Sequence, residues 1–113
     1  MCKQKQLEII EQFVVNKAKM ELGSKLDSIL LYGSYARGDF DDESDIDIMI
    51  IADLPVEDAD RLEEKLISFT TKLDLEYGVV LSLYVKDQMT FNKWRNDLPF
   101  YKNVVREEIS LIA

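Results

Sequence analysis

The chain has 113 residues, with 22 acidic against 14 basic side chains and a formal net charge of −8. That length suits one domain over residues 1–113, and with 47% hydrophobic residues it can bury a real core; the acidic balance excludes a groove that tracks a nucleic-acid strand. The absence of histidine removes imidazole chemistry, and the single Cys2 excludes an intramolecular disulfide and a thiolate zinc cage.

In chain order, Lys3 to Leu22 is predicted as a helix, because Leu7, Ile10, Phe13, Val14 and Ala18 recur at helical spacing and Gly23 supplies a stop. Leu26 to Tyr32 reads as a short apolar strand. Gly33 to Ser44 is small and polar, a turn or a single helical turn, and Asp45 to Ala52 is the next strand. Pro55 opens a second helix with Asp53 upstream as its cap, and Ala59, Leu62, Leu66, Phe69 and Leu73 form its apolar stripe. Gly78 ends the following turn. Val79 to Val85 is a third strand, Met89 to Asn96 a helix, and Pro99 to Ile112 a tail. Three strands cannot hold an open sheet alone, so helices must cover at least one face. The expected class is α+β, with a small mixed sheet of about three strands in α-β-turn-β-α-β-α order. No apolar run reaches membrane-spanning length and the N-terminus lacks an apolar signal core, so the expected location is the cytoplasm, with Cys2 a reduced surface thiol.

The chemistry is concentrated between Leu30 and Ile51. Residues two apart on a strand share a face, so Asp45, Asp47 and Met49 lie opposite Ile46, Ile48 and Ile50. Two neighbouring carboxylates repel unless a cation lies between them, and hard oxygen ligands suit Mg²⁺ or Mn²⁺. The plain alternative is an exposed strand edge in an acid-rich chain; the Ile-Met-Ile-Ile run after Asp47 favours a central strand instead. Gly33 at a strand exit permits close backbone approach, and Ser34 at a helical start suits an anion; the alternative is an ordinary turn capped by Ser34. Together, a phosphate cradle and a two-carboxylate site suit metal-assisted phosphoryl or nucleotidyl transfer. Arg37 either approaches the phosphates or pairs with Asp39, Asp41 or Asp42. Ser44 caps the turn before the strand, and the other loop acids are solvated.

The run Gly-Ser-Tyr-Ala-Arg-Gly-Asp-Phe-Asp-Asp-Glu-Ser-Asp-Ile-Asp-Ile, residues 33–48, resembles the signature of the DNA polymerase β-type nucleotidyltransferase superfamily. More narrowly, it is similar to the minimal nucleotidyltransferase (MNT) domains of prokaryotes. The resemblance implies that Gly33 and Ser34 contact nucleotide phosphates, with Arg37 inside the matched motif and its two alternatives still open, and that Asp45 and Asp47 bind metal and are catalytic. It implies Mg²⁺ or Mn²⁺ as cofactor and a nucleoside triphosphate, ATP by expectation, as substrate, with a hydroxyl on a protein or small molecule as acceptor. It also implies a HEPN-type toxin as protein partner, this chain being the antitoxin; a homo-oligomer stays open.

The resemblance further implies a third carboxylate on the next strand. Val79 to Val85 carries none, and Ser82 stands near its middle. Glu76 is the first candidate to substitute, ahead of Asp74 and Asp87. Loss of this group leaves open a nucleotide- or toxin-binding module that no longer catalyses. The aromatics Trp94, Phe100 and Tyr101 are expected to pack on the open sheet face rather than form a partner patch.

Overall fold

The computed structural model describes residues 4–112; Cys2 and Lys3 lie outside the described residues. Helix α1 spans Gln4–Leu22 and is followed by strand β1, Leu26–Tyr32, the single-turn helix α2, Ser34–Arg37, and strand β2, Ile46–Ala52. Helices α3 (Val56–Lys65) and α4 (Ile67–Tyr77) lead to strand β3, Leu81–Asp87. Helices α5 (Gln88–Trp94) and α6 (Pro99–Glu107) and the two-residue strand β4, Ile109–Ser110, complete the described chain. The sheet order is β3-β2-β1-β4. β1 is antiparallel to β2 and to β4, and β2 and β3 run parallel. The class is the expected α+β with a mixed sheet. It has four strands rather than about three, because the tail turns back after α6 and pairs Ile109 with Leu31 and Ser110 with Leu30.

The alternation of β2 divides the core. Ile46, Ile48 and Ile50 are buried on one face with Ile29 and Leu31, beneath Ile10, Val14 and Ala18 of α1 and Leu62 and Leu73 of the crossover helices. Phe13, expected in that stripe, is 43% exposed, and Val15 is buried instead. Met49 and Ile51 take the opposite face with Leu30 and Tyr32, covered by Phe91 of α5 and Val104 of α6. Tyr101 packs against this second cluster, and the Phe100 ring meets Tyr32 and Tyr84 edge-on at centroid distances of 6.0 and 6.1 Å, as expected of the tail aromatics.

Several boundaries differ from the sequence expectation for local reasons. The helix after Pro55 breaks at Leu66, whose N–H is shared between Leu62 and Glu63 carbonyls, tightening the turn. Asp53 does not cap α3. The cap position is Pro55, so Asp53 lies two residues too early, and its own N–H donates to the Lys25 carbonyl. β3 starts at Leu81 rather than Val79, because the N–H groups of Gly78 and Val79 still donate to the Asp74 carbonyl and close α4.

Candidate active site

β1 hands directly into a strained exit. Gly33 adopts φ +75°, ψ −157°, and its carbonyl accepts from the N–H groups of Ala36 and Arg37, which winds α2 into one turn. Gly38 closes that turn in the left-handed region, and the buried Tyr35 ring stacks on Phe40 at 4.3 Å, folding the loop back. The Ser44 hydroxyl accepts from the Asp41 N–H at 2.9 Å and lies 3.2 Å from the Asp41 carboxylate. Ser44 thus holds the turn before β2, as its sequence position suggested.

The loop returns the chain so that Asp47 stands directly opposite Tyr32 of β1 and Ser82 of β3. Directly opposed residues share a face, so Tyr32, Asp47 and Ser82 form a row across the sheet. Asp45 precedes the first hydrogen-bonded residue of β2, Ile46, yet keeps the face of Asp47: the Ser82 hydroxyl donates to Asp45 Oδ2 at 3.4 Å. Asp47 also crowds Gly33. A Cβ on Gly33 would lie 2.3 Å from Asp47 Oδ2, inside any real contact distance.

This row is electrostatically uncomfortable. Partial burial, and next the charge of Asp45, push the Asp47 carboxyl up to about 6. The Tyr32 hydroxyl is buried without a hydrogen-bond partner, and burial together with Asp47 drives its pKa far up. A cation between the two aspartates would relieve the first strain. Among the described residues no group of three or more His, Cys, Asp or Glu is arranged to hold a metal. Two carboxylates alone would supply only part of the ligands of a divalent ion and would leave the others to phosphate oxygens and water, which is how Mg²⁺ is commonly held.

Arg37 is exposed and doubly paired. Its Nε donates to Asp39 at 3.0 Å and its Nη1 to Glu107 Oε2 at 2.6 Å. The pairing with Asp39 matches one alternative read from the sequence; Glu107 does not appear there at all. Glu107 Oε1 also accepts from the Gly33 N–H at 3.3 Å. This carboxylate reaches the site from the end of α6, 70 or more residues away in sequence, and no local signal marks it.

None of the three acids considered as substitutes for a third strand carboxylate fills that place. Asp74 accepts from the Leu81 N–H and fixes the start of β3. Asp87 is buried and caps α5 through the Thr90 N–H at the far end of the strand. Glu76 is exposed on the last turn of α4. The position beside Asp47 on β3 belongs to Ser82.

Residues 7–112 match the family described as "Nucleotidyltransferase domain". A protein of Methanocaldococcus jannaschii, provisionally named a protein adenylyltransferase, is 41% identical over 98 residues, covering 87% of this chain and 89% of that protein. A second protein of the same organism and provisional name is 38% identical over 78 residues, covering 67% and 74%. In structure, the chain resembles a toxin–antitoxin solved with AMP-PNP (TM-score 0.59, 22% identity, 91% of this chain and 73% of that one). It also resembles a provisionally named nucleotidyltransferase of Sulfolobus solfataricus (TM-score 0.55, 19% identity, 94% and 78%). At such identities the structural likeness shows the fold.

Proposed function

The chain belongs to the nucleotidyltransferase domain family and is a nucleotidyltransferase, and from that premise we propose that it moves AMP from ATP to a hydroxyl of a partner protein. The observation that carries this reading is the meeting of Asp47 with Asp45 beside Gly33, where a Cβ on the glycine would lie 2.3 Å from the Asp47 carboxylate. Similarity to proteins provisionally named protein adenylyltransferases favours a protein acceptor, and the toxin–antitoxin fold neighbours favour a toxin as that protein; that the toxin is of HEPN type rests on the resemblance of residues 33–48 alone. One domain working in the cytoplasm suffices for this.

In this reading the Gly33 N–H and the Arg37 guanidinium receive phosphate oxygens, with Ser34 beside them. Asp45 and Asp47 hold Mg²⁺ or Mn²⁺, and Ser82 orients Asp45 through its hydroxyl. Such an ion, when bound, would offset phosphate charge and lower the pKa of the acceptor hydroxyl. Between residues 30 and 51 Arg37 is the one basic residue among six acids, so these side chains alone would repel a triphosphate. The acceptor oxygen bonds to the α-phosphorus, the bond to pyrophosphate breaks, and the hydroxyl proton passes to water. β3 puts Ser82, and no acid, beside Asp47 to take it, so transfer is slow compared with a site that has a general base, a group worth about 10²–10⁴-fold.

The test is the intact mass of the protein encoded beside this one, after incubation with this chain, ATP and Mg²⁺. An AMP adduct that disappears with the Asp45→Asn/Asp47→Asn double variant is expected. Partner binding that survives in the double variant, with no adduct from either protein, would replace this reading with a binding module. An adduct on an added small-molecule hydroxyl alone would move the acceptor class.

A further inference from the structure

We propose that Glu107 is a carboxylate gate on the nucleotide cradle: its two oxygens occupy the donors that phosphate needs, and it must swing away for a triphosphate to bind. The inference rests on the nucleotide-binding reading above and adds a competitor built into the chain.

The contacts define the competition. Glu107 Oε1 accepts from the Gly33 N–H at 3.3 Å and Oε2 from Arg37 Nη1 at 2.6 Å. One anionic group thus spans two donors with two oxygens, as two non-bridging oxygens of a phosphate would. The other Arg37 contact is also a carboxylate, Asp39, at 3.0 Å. The Glu107 side chain is 15% exposed, so it sits in the cradle rather than over it. The same two donors cannot serve Glu107 and a phosphate together. Apparent nucleotide affinity is then the intrinsic affinity reduced by the fraction of molecules with the gate open.

The mounting suits movement. Glu107 is the last residue of α6, and the strand beyond it makes only two register pairs with β1. The acid also faces Asp47, so it is a like charge in a crowded corner. An arriving triphosphate that carries its own cation displaces it by competing for the donors and not by pairing with it.

The experiment is calorimetric binding of Mg·ATP, with no partner and hence no turnover, to the wild type, Glu107→Gln, Glu107→Ala and Glu108→Gln. Glu108 neighbours the gate and is exposed. Removing the carboxylate is expected to lower Kd by about tenfold, the size of one charge-assisted contact, with Glu108→Gln unchanged. Amide NMR of the wild type serves as a second reading that needs no variant: the Gly33 N–H resonance shifts when Mg·ATP is added. Equal or weaker binding by the Glu107 variants overturns the gate and leaves the nucleotide reading intact; an unmoved Gly33 amide while ATP binds overturns the gate together with the phosphate contact assigned to Gly33. Binding by none of the four proteins removes the nucleotide reading and the gate with it.

Discussion

Gly33 and Asp47 lie so close that a methyl group on the glycine would come within 2.3 Å of the carboxylate oxygen. The glycine therefore answers two demands: a backbone angle of φ +75° and the absence of a side chain. Gly38 and Gly78 also have positive φ, but a Cβ on either meets nothing within 4 Å. This separates the two demands. Gly38→Ala and Gly78→Ala are expected to cost about 1 kcal/mol for backbone strain alone. Gly33→Ala adds the collision and costs about 2–4 kcal/mol in total. Urea denaturation of the three variants checks the order; equal losses would show that the close approach carries no weight.

Asp47 predicts an unusual pH dependence. Its ordinary pKa is 3.8 and its folded value about 6. Between these the unfolded chain has released the proton and the folded chain keeps it, so the contribution of Asp47 to stability falls as pH rises through that window and stays low above it. Asp47→Asn removes the effect. The variant is expected to melt about 3–6 °C above the wild type at pH 7.5 in EDTA, the gap closing towards pH 4. Mg²⁺ should narrow it at pH 7.5 by stabilising the wild type alone.

The Tyr32 hydroxyl is buried without a partner and faces a carboxylate. Such a group costs desolvation with no bond in return. Tyr32→Phe keeps the ring that meets Phe100 and is expected to stabilise the fold by about 1 kcal/mol, read as a higher urea midpoint with an unchanged slope. A loss of stability would reveal a partner for the hydroxyl.

Ser82 stands where a third carboxylate would face Asp47. Ser82→Asp should therefore speed adenylyl transfer in Mg²⁺, by about 10²-fold if general-base help is what the site lacks. The same variant should melt below the wild type in EDTA, because a third acid joins the row. A faster enzyme with a lower metal-free melting temperature is the expected pair of results. An unchanged rate would show that two carboxylates suffice.

What the sequence disclosed followed the range of the interaction. The β1–α2–β2 stretch was legible because strand alternation and the Gly-Ser and Asp-Ile-Asp spacing are local, and the structure keeps Asp45 and Asp47 on one face. The break at Leu66 was hidden because the apolar stripe runs through it unchanged, the difference being one shared N–H. Asp53 resembles a cap by its side chain alone; the helix starts at Val56 with Pro55 in the cap position, which puts Asp53 two residues too early. Strand β4 and Glu107 were invisible for a shared reason: each acquires its role from a partner far back in the chain, Ile109 from Leu31 and Glu107 from Gly33. No periodicity within the tail encodes either meeting.

The same separation orders events during synthesis. β1 and β2 pair across a short loop, so Gly33 and Asp47 can meet once residue 52 has left the ribosome. The Ser82 side of the row waits for the crossover helices, and Glu107, 74 positions beyond Gly33, emerges later still. A nascent chain thus carries the Gly33 donor well before the carboxylate that occupies it in the folded protein has been made.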